Sequence, residues 1–275
     1  MVATKKVKIE TFGCQMNKSD SEKILGLLSN IGYSSTEFPE DADLILINTC
    51  SIREHAVQRL IGHLGNFKRM KQFNPNLIIG VGGCVPQHEK ENIRKKAPFV
   101  DIVFGSQNFN KIHEMVQRFE DNRRPIEEIV KQADVYENDM PLVRDGKFNA
   151  WITIMNGCSR YCTFCIVPYV RGNEVSRTQE SIIREVEDAV AAGYKEVTLL
   201  GQIIDLYGRD LKPRATLDDL LYKVSAVKGV ERIRFLTSHP KYMSKSMVDA
   251  VAELPNACEY FHLPLQSGND QILES

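Results

Sequence analysis

The 275-residue sequence lacks three features that would each have indicated a distinct class of protein. It contains no run of about eighteen apolar residues, which excludes a membrane-spanning helix. Residues 1–7 include lysines but no apolar segment, so we expect no secretory signal. The formal net charge is −1, so any nucleic acid would have to bind a local patch rather than a generally basic protein.

Cysteine is present but is not arranged for disulfide bonds. The seven cysteines are odd in number and do not form the tight framework of small secreted domains. This usage indicates a reducing compartment, which we take to be the cytoplasm, and favours metal or redox chemistry. The remaining composition, 43% hydrophobic and 26% charged, is typical of a globular protein with one or two domains.

Three cysteines, Cys158, Cys162 and Cys165, follow a C-x-x-x-C-x-x-C pattern, and the next cysteine, Cys258, is far along the chain. Three thiolates leave one iron of a 4Fe–4S cluster open. An open iron can bind the amino and carboxylate groups of S-adenosylmethionine and pass one electron to its sulfonium. The alternative is a zinc knuckle, which usually needs paired C-x-x-C motifs or nearby histidines, whereas His239 is distant.

The first part of the chain alternates between strand and helix patterns. This alternation predicts an open parallel α/β sheet covered by helices on both faces. The predicted strands are residues 6–12, 43–48, 77–81 and 101–104. The predicted helices are one that starts within residues 17–22 and ends at Gly32, and residues 52–71, 87–96 and 109–118.

Cys14, Cys50 and Cys84 each come one to three residues after a predicted strand, at intervals of about one βα unit. Parallel strands end at the same edge of a sheet, and ligand sites of open α/β sheets lie there. We therefore interpret these cysteines as a second three-thiolate cluster site, with neighbouring glycines that let the backbone approach closely. The alternative is three buried structural cysteines.

The second part of the chain also alternates, which predicts four βα units of a partial (β/α) barrel. Because four parallel strands cannot close a barrel, we expect the functional protein to continue past Ser275. The predicted domains are residues 1–122, a linker over residues 123–149, and residues 150–275. The predicted strands of the last domain are residues 150–155, 196–200, 232–236 and 260–263.

Polar residues at the ends of these strands are candidates for holding the methionine and ribose parts of S-adenosylmethionine. Gly201 would let the backbone approach the cofactor, and Phe164 would pack beside its adenine. For each of them a simpler role remains open: ending a strand, capping a helix or, for Phe164, filling the core. The polar candidates are Gln202, Ser238, His239, Gln266 and Ser267.

Four separate motifs resemble the radical SAM methylthiotransferase family, and together they span nearly the whole chain. They are residues 12–17 (FGCQMN), residues 48–54 (NTCSIRE), residues 82–84 (GGC) and residues 158–177 from the cysteine motif through IVPYVRG to SR. The residues of these motifs are most similar to those of family members that add a methylthio group to isopentenylated adenosine beside the anticodon of tRNA.

The resemblance implies two 4Fe–4S clusters. Cys158, Cys162 and Cys165 would hold the cluster that cleaves S-adenosylmethionine, and the cluster on the other three cysteines would carry the incoming sulfur. One S-adenosylmethionine would methylate that sulfur, and a second would yield a radical that takes hydrogen from C2 of the adenine. The implied partners are tRNA and a flavodoxin-like electron donor, with no membrane, and we expect a monomer.

Other functions stay open from the sequence. Relatives in the family act on threonylcarbamoyladenosine in tRNA or on a ribosomal protein, and an iron–sulfur electron carrier or sensor would need no substrate. Ile203 stands where the family pattern has asparagine, and we expect residues 150–275 to include no counterpart of the C-terminal TRAM domain of the family. Basic residues that could meet phosphates lie on one helix (Arg53, Arg59, Lys68, Arg69 and Lys71) and near the cysteine motif (Arg160, Arg171 and Arg177).

Overall fold

The computed structural model describes residues 4–51, 56–89, 92–131, 139–144, 146 and 148–274, which divide into two compact units. The first comprises Met1–Asp145 and Cys158–Asn173, and the second comprises Gly146–Gly157 and Glu174–Ser275. The segment with the C-x-x-x-C-x-x-C motif thus belongs with the N-terminal sheet, whereas the sequence pattern assigned it to residues 150–275. Within the described part of the chain, no helix is long and apolar enough to cross a membrane.

The first unit contains a six-stranded sheet in which every neighbouring pair is parallel, as the alternation predicted. The strand order is β2-β1-β3-β4-β5-β6. The strands are β1 Lys5–Phe12, β2 Tyr33–Ser35, β3 Leu44–Thr49, β4 Ile78–Gly83, β5 Ile102–Phe104 and β6 Ile126–Glu128. The helices are α1 Gln15–Ser29, α2 Ala56–Phe73, α3 Cys84–Glu89, α4 Asn92–Lys96, α5 Ile112–Asn122 and α6 Val167–Arg171.

The central strands β3 and β4 are buried along their whole length because helices cover both faces of the sheet. One apolar cluster joins β1, α1 and α5 on one face, and a second joins β3, β4 and α2 on the other. The strand β6 lies inside the predicted linker, where three residues after Pro125 were too few to give a strand pattern. Its Ile126 is buried in the first cluster.

One helix prediction differs from the structure, and the start of another lies outside the described residues. The single helix predicted over residues 87–96 is divided into α3 and α4, and α3 begins at Cys84 itself. The helix predicted from residue 52 is observed from Ala56, and residues 52–55, including Arg53, lie outside the described residues.

The second unit contains a parallel sheet of order β11-β10-β7. Its strands are β7 Asn149–Thr153, β8 Met155–Asn156, β9 Val175–Ser176, β10 Glu196–Leu200 and β11 Arg232–Leu236, with β8 and β9 forming a separate antiparallel pair. Its helices are α7 Gln179–Ala191, α8 Leu217–Ser225, α9 Lys245–Glu253 and α10 Asp270–Glu274.

The strand predicted over residues 260–263 is wrong. Beside β11 the chain makes one isolated bridge, between Ile233 and Ala257, and then follows the edge irregularly until Ser238 N donates to the carbonyl of His262 at 2.9 Å. Tyr260 and Leu263 are exposed, whereas the partly buried Phe261 packs edge to face on the buried Phe235. Three of the four predicted barrel strands are therefore present.

Candidate metal centre and its surroundings

Cys14, Cys50 and Cys84 lie at the carboxyl ends of β1, β3 and β4, which are neighbours in the sheet. The register pairs Phe12 with Thr49 and Thr49 with Gly83, so the three strands end level with one another. The structure therefore brings these three cysteines to one rim.

The Cys50 thiol is the hydrogen-bond partner of both other thiols. This hydrogen bond is the main cause that lowers the pKa of Cys14 to about 6 and the pKa of Cys84 to about 7. Burial opposes both shifts, and the positive charge of Arg171 supports them. Because metals bind the thiolate form, these environments favour ligation.

The start of α1 provides further support for a negative charge on Cys14. The backbone N–H groups of Met16 and Asn17 point to its sulfur, as expected where unpaired amides meet an anion at a helix start. The Asn17 side chain holds the site in a second way: its Oδ1 accepts from Cys14 Sγ at 3.4 Å when that thiol is protonated, and its Nδ2 donates to Asn48 Oδ1 at 3.1 Å. Sequence reasoning missed Asn17 and Asn48, although both stand inside the quoted motifs.

Gly13 and Gly83 allow the cysteine-bearing loops to approach. A Cβ atom at Gly13 would lie 2.8 Å from Cys50 Cβ, and one at Gly83 would lie 2.4 Å from the carbonyl oxygen of Thr49. Gly83 also has φ of +97°, which side chains disfavour. Any larger residue at either position would push the cysteine loops apart.

The donor set fits an iron–sulfur cluster. Among the described residues, no three His, Cys, Asp or Glu side chains are arranged to hold a single metal ion. A 4Fe–4S cluster makes a different demand, since each thiolate binds its own iron. Three thiols joined through Cys50, of which Cys14 and Cys84 have lowered pKa values, lie beside a buried cation and meet that demand.

The other three cysteines share an irregular segment between β8 and α6. Cys158 is buried and its N–H donates to the carbonyl of Gly172 at 2.9 Å. Cys165 N donates to the carbonyl of Cys162 at 2.9 Å, and Cys162 is exposed. The structure thus places these cysteines on one loop of the first unit.

The helix α6 joins this loop to the rest of the first unit. It packs on α3, and the Ser106 hydroxyl donates to the carbonyl of Val170. The Arg171 guanidinium pairs with Asp20 on α1 at 2.7 Å. The segment with Cys158, Cys162 and Cys165 is therefore tied to the helices that begin at the other cysteines.

Two arginines expected to meet phosphates are instead internal. Arg171 is buried beside Asp20, and Arg177 is buried in the second unit, where it pairs with Glu185 and donates to Ser181 Oγ at 2.7 Å. The prediction of a phosphate contact is wrong for both, because neither guanidinium reaches solvent.

A cavity of about 890 Å³ lies in the first unit beside α3 and α6. Two of its residues, Tyr161 and Tyr169, are 55% and 66% exposed and meet edge to face with ring centroids 5.9 Å apart. The lining residues are Gln87, His88, Glu127, Ile129, Lys131, Tyr161, Pro168, Tyr169, Gly172 and Asn173.

In the second unit, the ends of β10 and β11 are tied together. Gly201 N donates to the carbonyl of Leu236, and His239 N donates to the carboxylate of Asp205 at 2.7 Å. Burial raises the pKa of Asp205, a residue whose place at this rim the sequence pattern did not reveal. Gly201 and Ser238 are buried, as is Ile203.

The other predicted cofactor residues are less enclosed. Gln202 and His239 are half-buried, and Ser267 lies with the exposed Gln266 in the irregular segment that replaces the fourth strand. Phe164, in the first unit, is 76% exposed, so its alternative reading as a core aromatic is wrong.

Two family descriptions match the chain. Residues 6–105 match Uncharacterized protein family UPF0004, and residues 152–275 match the Radical SAM superfamily. The chain is 45% identical to the tRNA-2-methylthio-N(6)-dimethylallyladenosine synthase of Thermoanaerobacter pseudethanolicus and 46% identical to the protein of that name from Clostridium botulinum, each over 268 residues. These matches cover 97% of this chain but 57% and 60% of the relatives.

Solved structures share the fold at low sequence identity. The radical S-adenosylmethionine methyltransferase TsrM from Kitasatospora setae has a TM-score of 0.65 at 13% identity, over 98% of this chain and 60% of that one. The cobalamin-dependent S-adenosylmethionine radical enzyme OxsB has a TM-score of 0.63 at 12% identity, over 99% of this chain and 45% of that one. The predicted α/β architecture is thus confirmed.

Proposed function

The chain belongs to the radical SAM methylthiotransferase family, and we propose that it converts N6-isopentenyladenosine beside the anticodon of a tRNA to the 2-methylthio derivative. One observation carries the proposal. The three thiols at the ends of β1, β3 and β4 share a compact unit with the C-x-x-x-C-x-x-C segment. A sulfur-inserting enzyme needs both sets of cysteines.

Each set has its own role in this proposal. Cys158, Cys162 and Cys165 hold the 4Fe–4S cluster of the radical SAM chemistry, and the other three cysteines hold the second cluster. When bound, these groups supply the electron for S-adenosylmethionine cleavage and a carrier for the sulfur atom. The chain itself lowers the pKa values of Cys14 and Cys84, which favours their thiolate forms, and keeps Cys84 away from solvent.

The aromatic cavity beside α3 supports an RNA substrate. Proteins that recognise single-stranded RNA stack splayed-out bases on exposed aromatic side chains. Tyr161 and Tyr169 offer such faces, and Lys131 places an ammonium group at the same cavity. An unstacked anticodon-loop base at these tyrosines would lie in the unit that carries both cysteine sets.

Further partners follow from the chemistry. Cleavage of S-adenosylmethionine to a radical consumes one electron, so an external reductant is required, and we propose a flavodoxin-like protein. A cytoplasmic, monomeric enzyme is the simplest arrangement for a tRNA substrate.

Mass spectrometry of nucleosides from a deletion strain tests the substrate. We expect loss of 2-methylthio-N6-isopentenyladenosine, restored by the intact gene and not by a Cys14→Ala version. Unchanged levels of that nucleoside would refute the proposal. Loss of the threonylcarbamoyl counterpart, or of methylthiolation on a ribosomal protein, would redirect it to that substrate, and absence of 5′-deoxyadenosine release under reductant would favour an electron carrier or sensor.

A further inference from the structure

Arg171 is a buried cation at the end of α6, the helix that packs on α3. Its side chain is 4% exposed, and Nη1 lies 2.7 Å from Oδ2 of Asp20, which is 5% exposed. Removing two charges from water is costly, and a buried pair stabilises a protein weakly compared with an apolar replacement. A role in the charge balance of the site explains this buried pair better than a contribution to stability does.

The pair connects the helices that begin at two of the cysteines, because Asp20 lies on α1, which follows Cys14, and α6 with Arg171 packs on α3, which begins at Cys84. The charge of Arg171 acts on both Cys14 and Cys84, whereas the charge of Asp20 acts on Cys84 more weakly than Arg171 does and is not among the main influences on Cys14. The second arm of the guanidinium, Nη2, is buried without a hydrogen-bond partner among the described residues. A buried donor of this kind calls for an acceptor.

We propose that Arg171 sets the reduction potential of the cluster held by Cys14, Cys50 and Cys84, and that Asp20 positions its guanidinium. This inference rests on the proposed two-cluster function. Reduction adds one negative charge to a cluster already bound by thiolates, and a nearby cation in a poorly solvated site stabilises that added charge. Arg171 therefore makes the cluster easier to reduce, and it acts as a positioning and tuning residue rather than as a ligand.

The charge argument gives opposite predictions for the two partners. Arg171→Gln removes the cation and shifts the midpoint potential to a more negative value. Asp20→Asn removes the opposing anion and shifts the potential to a more positive value. A purely structural ion pair would instead lower stability in both variants without moving the potential in opposite directions.

The chain offers a matched control on the same helix. Arg144 pairs with Glu22 of α1 at 3.3 Å, and both side chains are buried. Arg144 is not among the main charges acting on Cys14 or Cys84. Arg144→Gln therefore removes a comparable buried pair while leaving the charge at the thiols unchanged.

The test uses the full chain with Cys158, Cys162 and Cys165 replaced by Ala, so that one cluster remains. The protein is reconstituted anaerobically, its iron is counted, and the midpoint potential is measured by redox titration followed by electron paramagnetic resonance. We expect Arg171→Gln to change the ratio of oxidised to reduced cluster at a fixed potential at least tenfold, about 59 mV for one electron. Asp20→Asn should shift in the opposite direction, and Arg171→Lys and Arg144→Gln should stay near the parent.

Failure of the proposed function and failure of the inference about Arg171 give different results. If the parent binds no iron, the second cluster of the proposed function is refuted and this inference with it. If the parent is loaded and Arg171→Gln behaves as Arg144→Gln, the inference alone is overturned. If Arg171→Gln cannot be loaded, Asp20→Asn decides, because an unshifted potential in that variant also overturns the role of the pair.

Discussion

Asn17 donates a hydrogen bond from Nδ2 to the carbonyl oxygen of Thr49 at 3.1 Å. Asn17 follows Cys14 on α1, and Thr49 precedes Cys50 at the end of β3. Both residues are buried, so no water competes for this bond. The Asn17 side chain, which is not itself a ligand, therefore holds the two cysteine loops together. Residues around metal sites commonly orient the ligands through hydrogen bonds of this kind.

Asn17→Ala should weaken the rim. The substitution leaves the Thr49 carbonyl and Asn48 Oδ1 without this donor, which costs about 1–3 kcal/mol for a buried group. Urea unfolding should show a loss of that size, together with faster loss of iron to a chelator. Asn66→Ala, on the exposed face of α2, is the control and should change stability by less than about 0.5 kcal/mol. Equal behaviour of the two variants would contradict a bracing role.

The cluster-free protein should have an unusually reactive Cys14. The hydrogen bond with Cys50 lowers the pKa of Cys14 from 9.0 to about 6. Alkylation by iodoacetamide, followed site by site with mass spectrometry, should be half-maximal near pH 6 in the folded protein and near about pH 8.5 in urea. A common midpoint in both states would rule out the converging thiols.

The same shift has a consequence for stability. The pKa of Cys14 is lower in the folded state than in the unfolded state, so the unfolded chain binds more protons between the two values. The stability contribution of this group is fully present above the unfolded pKa and is lost as the pH falls toward 6. Cys14→Ser should flatten the rise in unfolding free energy over that interval.

The two cysteine sets should be separable by single substitutions. Cys162→Ala should abolish release of 5′-deoxyadenosine and reduce iron from about eight to about four per chain, since each 4Fe–4S cluster contains four irons. Cys84→Ala should also halve the iron but leave the release of 5′-deoxyadenosine. Loss of all iron in either variant would argue against two independent clusters.

Tyr169 should contribute to RNA binding by stacking. Stacking of one base on an aromatic side chain is worth about 1–3 kcal/mol, so Tyr169→Ala should raise Kd for an anticodon stem-loop by roughly 5- to 150-fold. Tyr169→Phe retains the ring and should bind as the parent does. Tyr222→Ala, on α8 of the second unit, is the exposed-tyrosine control. Fluorescence anisotropy measures all three, and a loss in Tyr169→Phe equal to that in Tyr169→Ala would exclude stacking.

The sequence predicted the first sheet well because its central strands are buried on both faces. Such strands are apolar along most of their length, and residues 44–47 of β3 therefore stand out as a continuous run. Because the cysteines follow predicted strands and lie beside glycines, the sequence also predicted that they share one edge of the sheet. No side-chain contact was needed for this prediction. The same reasoning missed β2 and β6, in which only one of three residues is buried and the other two are polar.

Side-chain environments were harder to predict than strands. Arg171 and Arg177 look alike in the sequence as basic residues near the cysteine motif, and their burial depends on Asp20 and Glu185, which only the fold brings close. The predicted fourth strand failed for a related reason. Residues 260–263 are apolar enough for a strand, but the backbone beside β11 pairs at Ala257 and then departs from the ladder.

The first unit is discontinuous in the chain, since it ends at Asp145 and resumes at Cys158. A fragment cut near residue 150 would lack α6, and Asp20 would lose the guanidinium with which it pairs. During synthesis, the ion pair of the N-terminal sheet can therefore form only after residue 171 has left the ribosome. Maturation of the N-terminal half is in this way coupled to translation of the later half.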